Sequence, residues 1–167
     1  MTTSHFNTSW QDQHERVGRW HKRLSAIQRG IPPDMSQAEA LDDVYAFFMN
    51  CYHLRDWIIN SGFRKKEDVD AFIVATPELQ LCADICNGLK HFRLDPKRAL
   101  SAPTWSTASE VTFSFPPGVS SFIPGVTDRP ESISGPRWVF TTDGAAIGMF
   151  ELADKCVAAW DRFLAGP

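Results

Sequence analysis

The stretch from Ser36 to Gly62 constrains the fold more than any other part of the chain. Ser36 and Glu39 have the spacing at which serine and glutamate satisfy each other's exposed backbone amides at a helix start. Leu41, Val44, Phe48, Cys51, Leu54 and Ile58 then recur at three and four, which predicts one helix over about 36–60 with these residues facing a core. Gly62 is placed to close it. A helix with so continuous an apolar stripe has to be covered by other helices.

Partners of the right kind are present on both sides. Trp10, Val17, Trp20, Leu24 and Ile27 form a helical stripe over 9–29, ended by Gly30, Pro32 and Pro33. A short helix is expected at 66–74. Thr76 and Pro77 read as an N-cap and first helical residue, opening a helix over 77–92 with Leu81, Ile85 and Leu89 on its apolar side. Phe150, Ala153, Cys156, Val157, Trp160, Phe163 and Leu164 predict an amphipathic helix over 149–165.

The region from 97 to 148 differs in texture, being rich in proline and serine. Within it Glu110–Phe115 alternates as a strand would. Arg137–Thr142 followed by Asp143-Gly144 reads as a strand and a hairpin turn. The expected fold is therefore mainly α: one domain over 1–167, an up-and-down bundle of four main helices with a small β-hairpin and loop insertion before the last helix.

Composition adds mostly exclusions. With 43% hydrophobic and 22% charged residues the chain has the make-up of an ordinary globular protein. A net charge of −3 gives no overall basic field for nucleic acid. No run approaches a membrane span, and the first ten residues lack the charged start and apolar stretch of a signal peptide. A cytoplasmic protein without membrane partners is expected. Cys51, Cys82, Cys86 and Cys156 lie on helical patterns among apolar neighbours, which reads as buried thiols.

The candidate functional residues sit on two of the helices. His53, Arg55 and Asp56 fall within CYHLRDWI (51–58), and Asp84, Asn87, Lys90 and His91 within CADICNGLKHF (82–92). Ionisable groups avoid apolar surroundings unless they are paired, hydrogen-bonded or used. Spacings of three, four and seven bring each set towards one helix face, so a polar seam between the two helices is expected. An aspartate three residues after His53 can orient the imidazole for general-base work. Lys90 and His91 also suit a helix C-terminus simply as cations. Glycine at 88 suggests close packing or room for a ligand. The first helix adds His14 and His21, two turns apart, which can share a face, although a solvated charged face explains them equally. No phosphate loop, GxSxG or HExxH is present.

DICNGLKHF (84–92), preceded by CYHLRDWI (51–58), resembles the HEPN superfamily of small helical bundles over roughly 9–95 and the final helix. The resemblance implies a homodimer and, for many members, metal-independent cleavage of RNA by an arginine and a histidine separated by four to six residues. Asp84, Ile85 and Cys86 occupy the corresponding places before His91, whereas Arg16 and His21 meet the spacing in the first helix.

The expected function is a binding or regulatory module whose seam takes a small ligand or nucleotide, with Arg55, Asp56, Asp84, Asn87 and Lys90 as binding residues. The alternative is a ribonuclease with His53 or His91 as the acid–base group and RNA as partner. A third reading is an interaction module whose seam only fixes helix register. No metal and no cofactor are expected.

Overall fold

The computed structural model describes residues 9–30, 32, 34–91, 139–142 and 145–166. Their fold is a helical bundle: α1 Trp10–Gln28, α2 Gln37–Asn60, α3 Lys66–Val74, α4 Pro77–His91 and α5 Met149–Ala165, with β1 Val139–Thr142 and β2 Ala145–Gly148 just ahead of α5. None of these helices is long and apolar enough to cross a membrane. The strand expected at 110–115 lies outside the described residues.

The helix ends follow the local chemistry. Glu39 N–H donates to Ser36 Oγ at 3.2 Å and Ser36 N–H to Glu39 Oε2 at 2.8 Å, completing the expected box. The same device starts α1, where Ser9 and Asp12 cap each other. At the far end of α2, Gly62 N–H donates to the Ile59 carbonyl and Phe63 N–H to that of Ile58. That pattern needs a left-handed residue, and Gly62 supplies it at φ 73°. Thr76 stands where the N-cap was expected, directly before Pro77, and its carbonyl accepts from the Leu79 and Gln80 amides, while its hydroxyl donates back to the Phe72 carbonyl at 2.8 Å.

α2 is the axis of the core. Val44, Phe47, Phe48, Cys51, Leu54 and Ile58 are all fully buried, and α1, α3, α4 and α5 pack around them. Phe47 belongs to this stripe, whereas Leu41 stays half-buried near the helix start. α1 contributes Val17, Leu24 and Ile27, and α5 contributes Met149, Leu152, Cys156 and Trp160. α4 is buried without a break from Leu81 to Cys86, because α2, α3 and α5 all lie against it.

The two strands pair antiparallel with Phe140 opposite Ile147 and Thr142 opposite Ala145; the turn expected at Asp143-Gly144 lies outside the described residues. Gly148 ends β2 and is also the N-cap of α5.

Candidate functional site

Among the described side chains, the expected seam between α2 and α4 does not form one continuous polar surface. His53 and Asp56 are exposed, while Asp84 is buried to 1% and Asn87 is half-buried. α2 turns His53 to solvent as it buries Leu54 and Cys51. Arg55 points the other way along α2, towards α3. It pairs with Asp56 at 2.6 Å and Asp70 at 2.5 Å, and Asp70 also meets Lys66 at 2.6 Å. Burial alone would raise the Asp70 carboxyl, but hydrogen bonds from Lys66 and Arg55 outweigh it and hold Asp70 below its ordinary value. Arg55 is thus a tie between α2 and α3. Lys90 and His91 fall in the last turn of α4, and their side chains lie outside the described residues. A methyl at Gly88 would meet no described atom within 4 Å.

A more coherent arrangement lies between α1 and α5. His14 Nε2 stands 2.7 Å from Asp161 Oδ1, and His21 Nε2 stands 2.6 Å from Asp154 Oδ1. On both helices the partners are seven residues apart, and they run in opposite order, so α1 and α5 lie antiparallel in a fixed register. A carboxylate oxygen only accepts, so each Nε2 carries a proton. In the neutral imidazole that leaves Nδ1 as the basic nitrogen.

An open groove of about 450 Å³ lies beside the His14–Asp161 pair, lined by His14, Glu15, Val17, Gly18, Arg19, Lys22, Val157, Trp160 and Asp161. Gly18 faces open space, with nothing within 4 Å of a methyl placed there. Arg19 lies 3.7 Å from Glu15, whereas Lys22 makes no ion pair among the described residues. Sequence reasoning placed His14 and His21 on one face. It missed their partners because Asp154 and Asp161 lie more than 130 residues away on a helix read for its apolar side.

Arg16, which has the required spacing to His21, does not join it. Its guanidinium lies 5.4 Å from the centre of the Trp57 ring on α2 and donates to Gln13 Oε1 at 2.6 Å. Gln13 is itself buried and donates to the Asn50 carbonyl at 2.9 Å. Arg16 thus belongs to the α1–α2 contact, and His21 to the α1–α5 contact.

Behind the groove lies a second group. Cys51 of α2, Cys82 of α4 and Cys156 of α5 bring their sulfurs within 4.8 Å of one another. Cys82 donates to the Phe48 carbonyl at 3.5 Å and Cys156 to the Glu78 carbonyl at 3.4 Å. Hydrogen bonds from Cys156 and Cys82 push the Cys51 thiol well down, with smaller help from Trp160 and the charge of His21. Burial pushes Cys82 up. All four cysteines of the chain are buried as thiols, as their sequence contexts suggested.

No protein-family model matches the chain, and neither a curated protein nor a solved structure shows significant similarity to it.

Proposed function

We propose that this chain is a binding or regulatory module, and that the α1–α5 groove takes a small anionic ligand with a flat apolar body, nucleotides being the class that fits. The observation that carries the reading is the His14–Asp161 pair: an imidazole locked by a carboxylate on the wall of a groove that also holds Lys22, which makes no ion pair among the described residues. Val17, Gly18, Val157 and Trp160 offer an apolar floor, and Lys22 with Arg19 offers charge to a phosphate. Its volume suits a small molecule. Its openness leaves one side of any ligand in water, so affinities of roughly micromolar or weaker are expected. This reading keeps a polar inter-helix seam as the site but moves it from the α2–α4 contact to the α1–α5 contact.

The test is a calorimetric and NMR titration of the full chain with nucleoside mono-, di- and triphosphates. Binding with shifts confined to α1 and α5 supports the reading, and Lys22→Glu should weaken it about tenfold or more, the equivalent of one charge-assisted hydrogen bond. Saturating nucleotide that leaves α1 and α5 unshifted would overturn it.

A metal-independent ribonuclease of the HEPN kind is supported by the same carboxylate-held imidazoles. His14 and His21 are a heptad apart, roughly 10.5 Å along the helix, so one imidazole with Lys22, rather than two imidazoles, would serve a single phosphodiester. Incubation with single-stranded RNA in excess chelator tests this directly, with His14→Ala and His21→Ala as controls. The homodimer that accompanies this reading rests on the family resemblance, and sedimentation of the purified chain measures it.

A further inference from the structure

Cys51, Cys82 and Cys156 arrive at one point from three different helices, 31 and 74 residues apart in the chain, and each is fully buried. Their sulfurs lie within 4.8 Å of one another. Atoms about 2.3 Å from a common ion stand roughly 4 Å or less apart, so the thiols need to close by less than an ångström to share one. We propose that these three cysteines form a site for a single trivalent thiophilic ion, of which arsenic(III) is the type.

Ligand number and charge decide the class of ion. Among the described residues the cluster holds three sulfurs and no fourth ligand, whereas zinc in a structural site takes four. The surroundings are apolar: Phe47, Phe48 and Leu152 are fully buried in the same core. Net charge is costly in such a place. Three thiolates with a univalent ion leave two negative charges, with a divalent ion one, and with a trivalent ion none.

The reaction balances without an oxidant. Arsenous acid gives up three As–O bonds and forms three As–S bonds, and each departing hydroxide leaves as water with a thiol proton. The oxidation state of arsenic and of sulfur is unchanged. A second observation points to the same place. Trp160 is 1% exposed, and its buried indole N–H lies near enough to the Cys51 sulfur to favour negative charge there, yet it completes no full hydrogen bond among the described residues. Buried donors normally have an acceptor, and an ion-bound sulfur, carrying more negative charge than a thiol, provides one.

Since the sulfurs are enclosed, entry requires the bundle to open. The test therefore refolds the reduced full-length chain from denaturant in the presence of arsenite, so that access is not limiting. Native mass spectrometry should show one arsenic per chain with the loss of three hydrogens, and the thermal midpoint should rise with arsenite concentration. Cys51→Ala, Cys82→Ala and Cys156→Ala should each abolish the adduct, and Cys86→Ala should retain it. X-ray absorption of the wild-type adduct should show three sulfur neighbours and no oxygen, a result that stands even where an alanine variant fails to fold. Absence of an adduct after refolding overturns the proposal. So does a shell of two sulfurs, retention in all three core variants, or preferential capture of zinc(II) in a four-sulfur shell that includes Cys86.

Discussion

His21 Nε2 and Asp154 Oδ1, 2.6 Å apart, tie the middle of α1 to the first half of α5, and the contact recurs one heptad away in His14 and Asp161. Both pairs are partly exposed, with Asp154 and Asp161 more than half open to solvent. Exposed ion pairs contribute at most about 1 kcal/mol. Asp161→Asn should therefore lower the urea midpoint only slightly. If the groove binds nucleotide, the same substitution should alter affinity far more than stability, because it frees the imidazole tautomer. A double-mutant cycle over His14 and Asp161 with a coupling well above 1 kcal/mol would instead make the ladder a structural strut.

Gly18 bears on the same groove from the opposite side. Glycine within a helix costs roughly 0.5–1 kcal/mol relative to alanine, and a methyl at this position meets nothing within 4 Å. Gly18→Ala should stabilise the chain by about that amount, read as a higher midpoint at unchanged m-value. It should also narrow the groove between Val17 and Lys22. A stabilised variant with weakened ligand binding would show that the glycine is there for the space it leaves.

Most of the fold was legible because it is written in local chemistry. The Ser36–Glu39 box, the glycine at 62 and the stripe on α5 each act within a few residues, and each stands where its spacing placed it. What failed to read was side-chain direction across helices. His53 and Asp84 each lie in an apolar-looking stretch, yet one is exposed and the other is buried, because which flank of α2 meets α4 is a tertiary choice. His14 and His21 could be placed on one face, but their partners on α5 could not, since nothing near residue 14 or 21 encodes Asp154 or Asp161. Arg23 and Asp43 show the same limit: a bidentate pair between α1 and α2, at 2.8–3.0 Å, appears in no local pattern. His53→Ala should leave stability within about 0.5 kcal/mol, as for other exposed positions. If chelator-treated RNA is cleaved at all, that variant should cleave it unchanged.

Asp70 sets a dependence on acid. Lys66 and Arg55 overcome the effect of burial and hold its folded carboxyl below the ordinary value. A depressed folded value means that the pairing stabilises the chain above the unfolded carboxylate value near 3.9 and is lost as pH falls through the folded one. Partial exposure and screening keep the contribution to about 1 kcal/mol at neutral pH. Asp70→Asn should show this loss at pH 7 and converge on wild type towards pH 2. The urea midpoint measured against pH reads both limbs. Parallel curves for the two proteins would show that the α2–α3 tie has no part in acid sensitivity.

Trp160 joins the groove to the core, so its substitutions separate two physical effects. Its ring lines the groove, packs at 6.0 Å between centroids on both Phe72 and Phe163, and is 1% exposed. Removing so large a buried side chain typically costs ~3–5 kcal/mol, and Trp160→Ala should lower the urea midpoint accordingly. Trp160→Phe keeps most of the apolar contact and deletes a buried N–H that completes no full hydrogen bond among the described residues. Leaving such a donor unsatisfied costs roughly 1–3 kcal/mol, and its removal offsets part of the volume lost. The phenylalanine variant should therefore stay within about 1.5 kcal/mol of wild type, clearly above the alanine variant. Equal losses in the two variants would mean that the indole N–H, not the ring, is what the core requires.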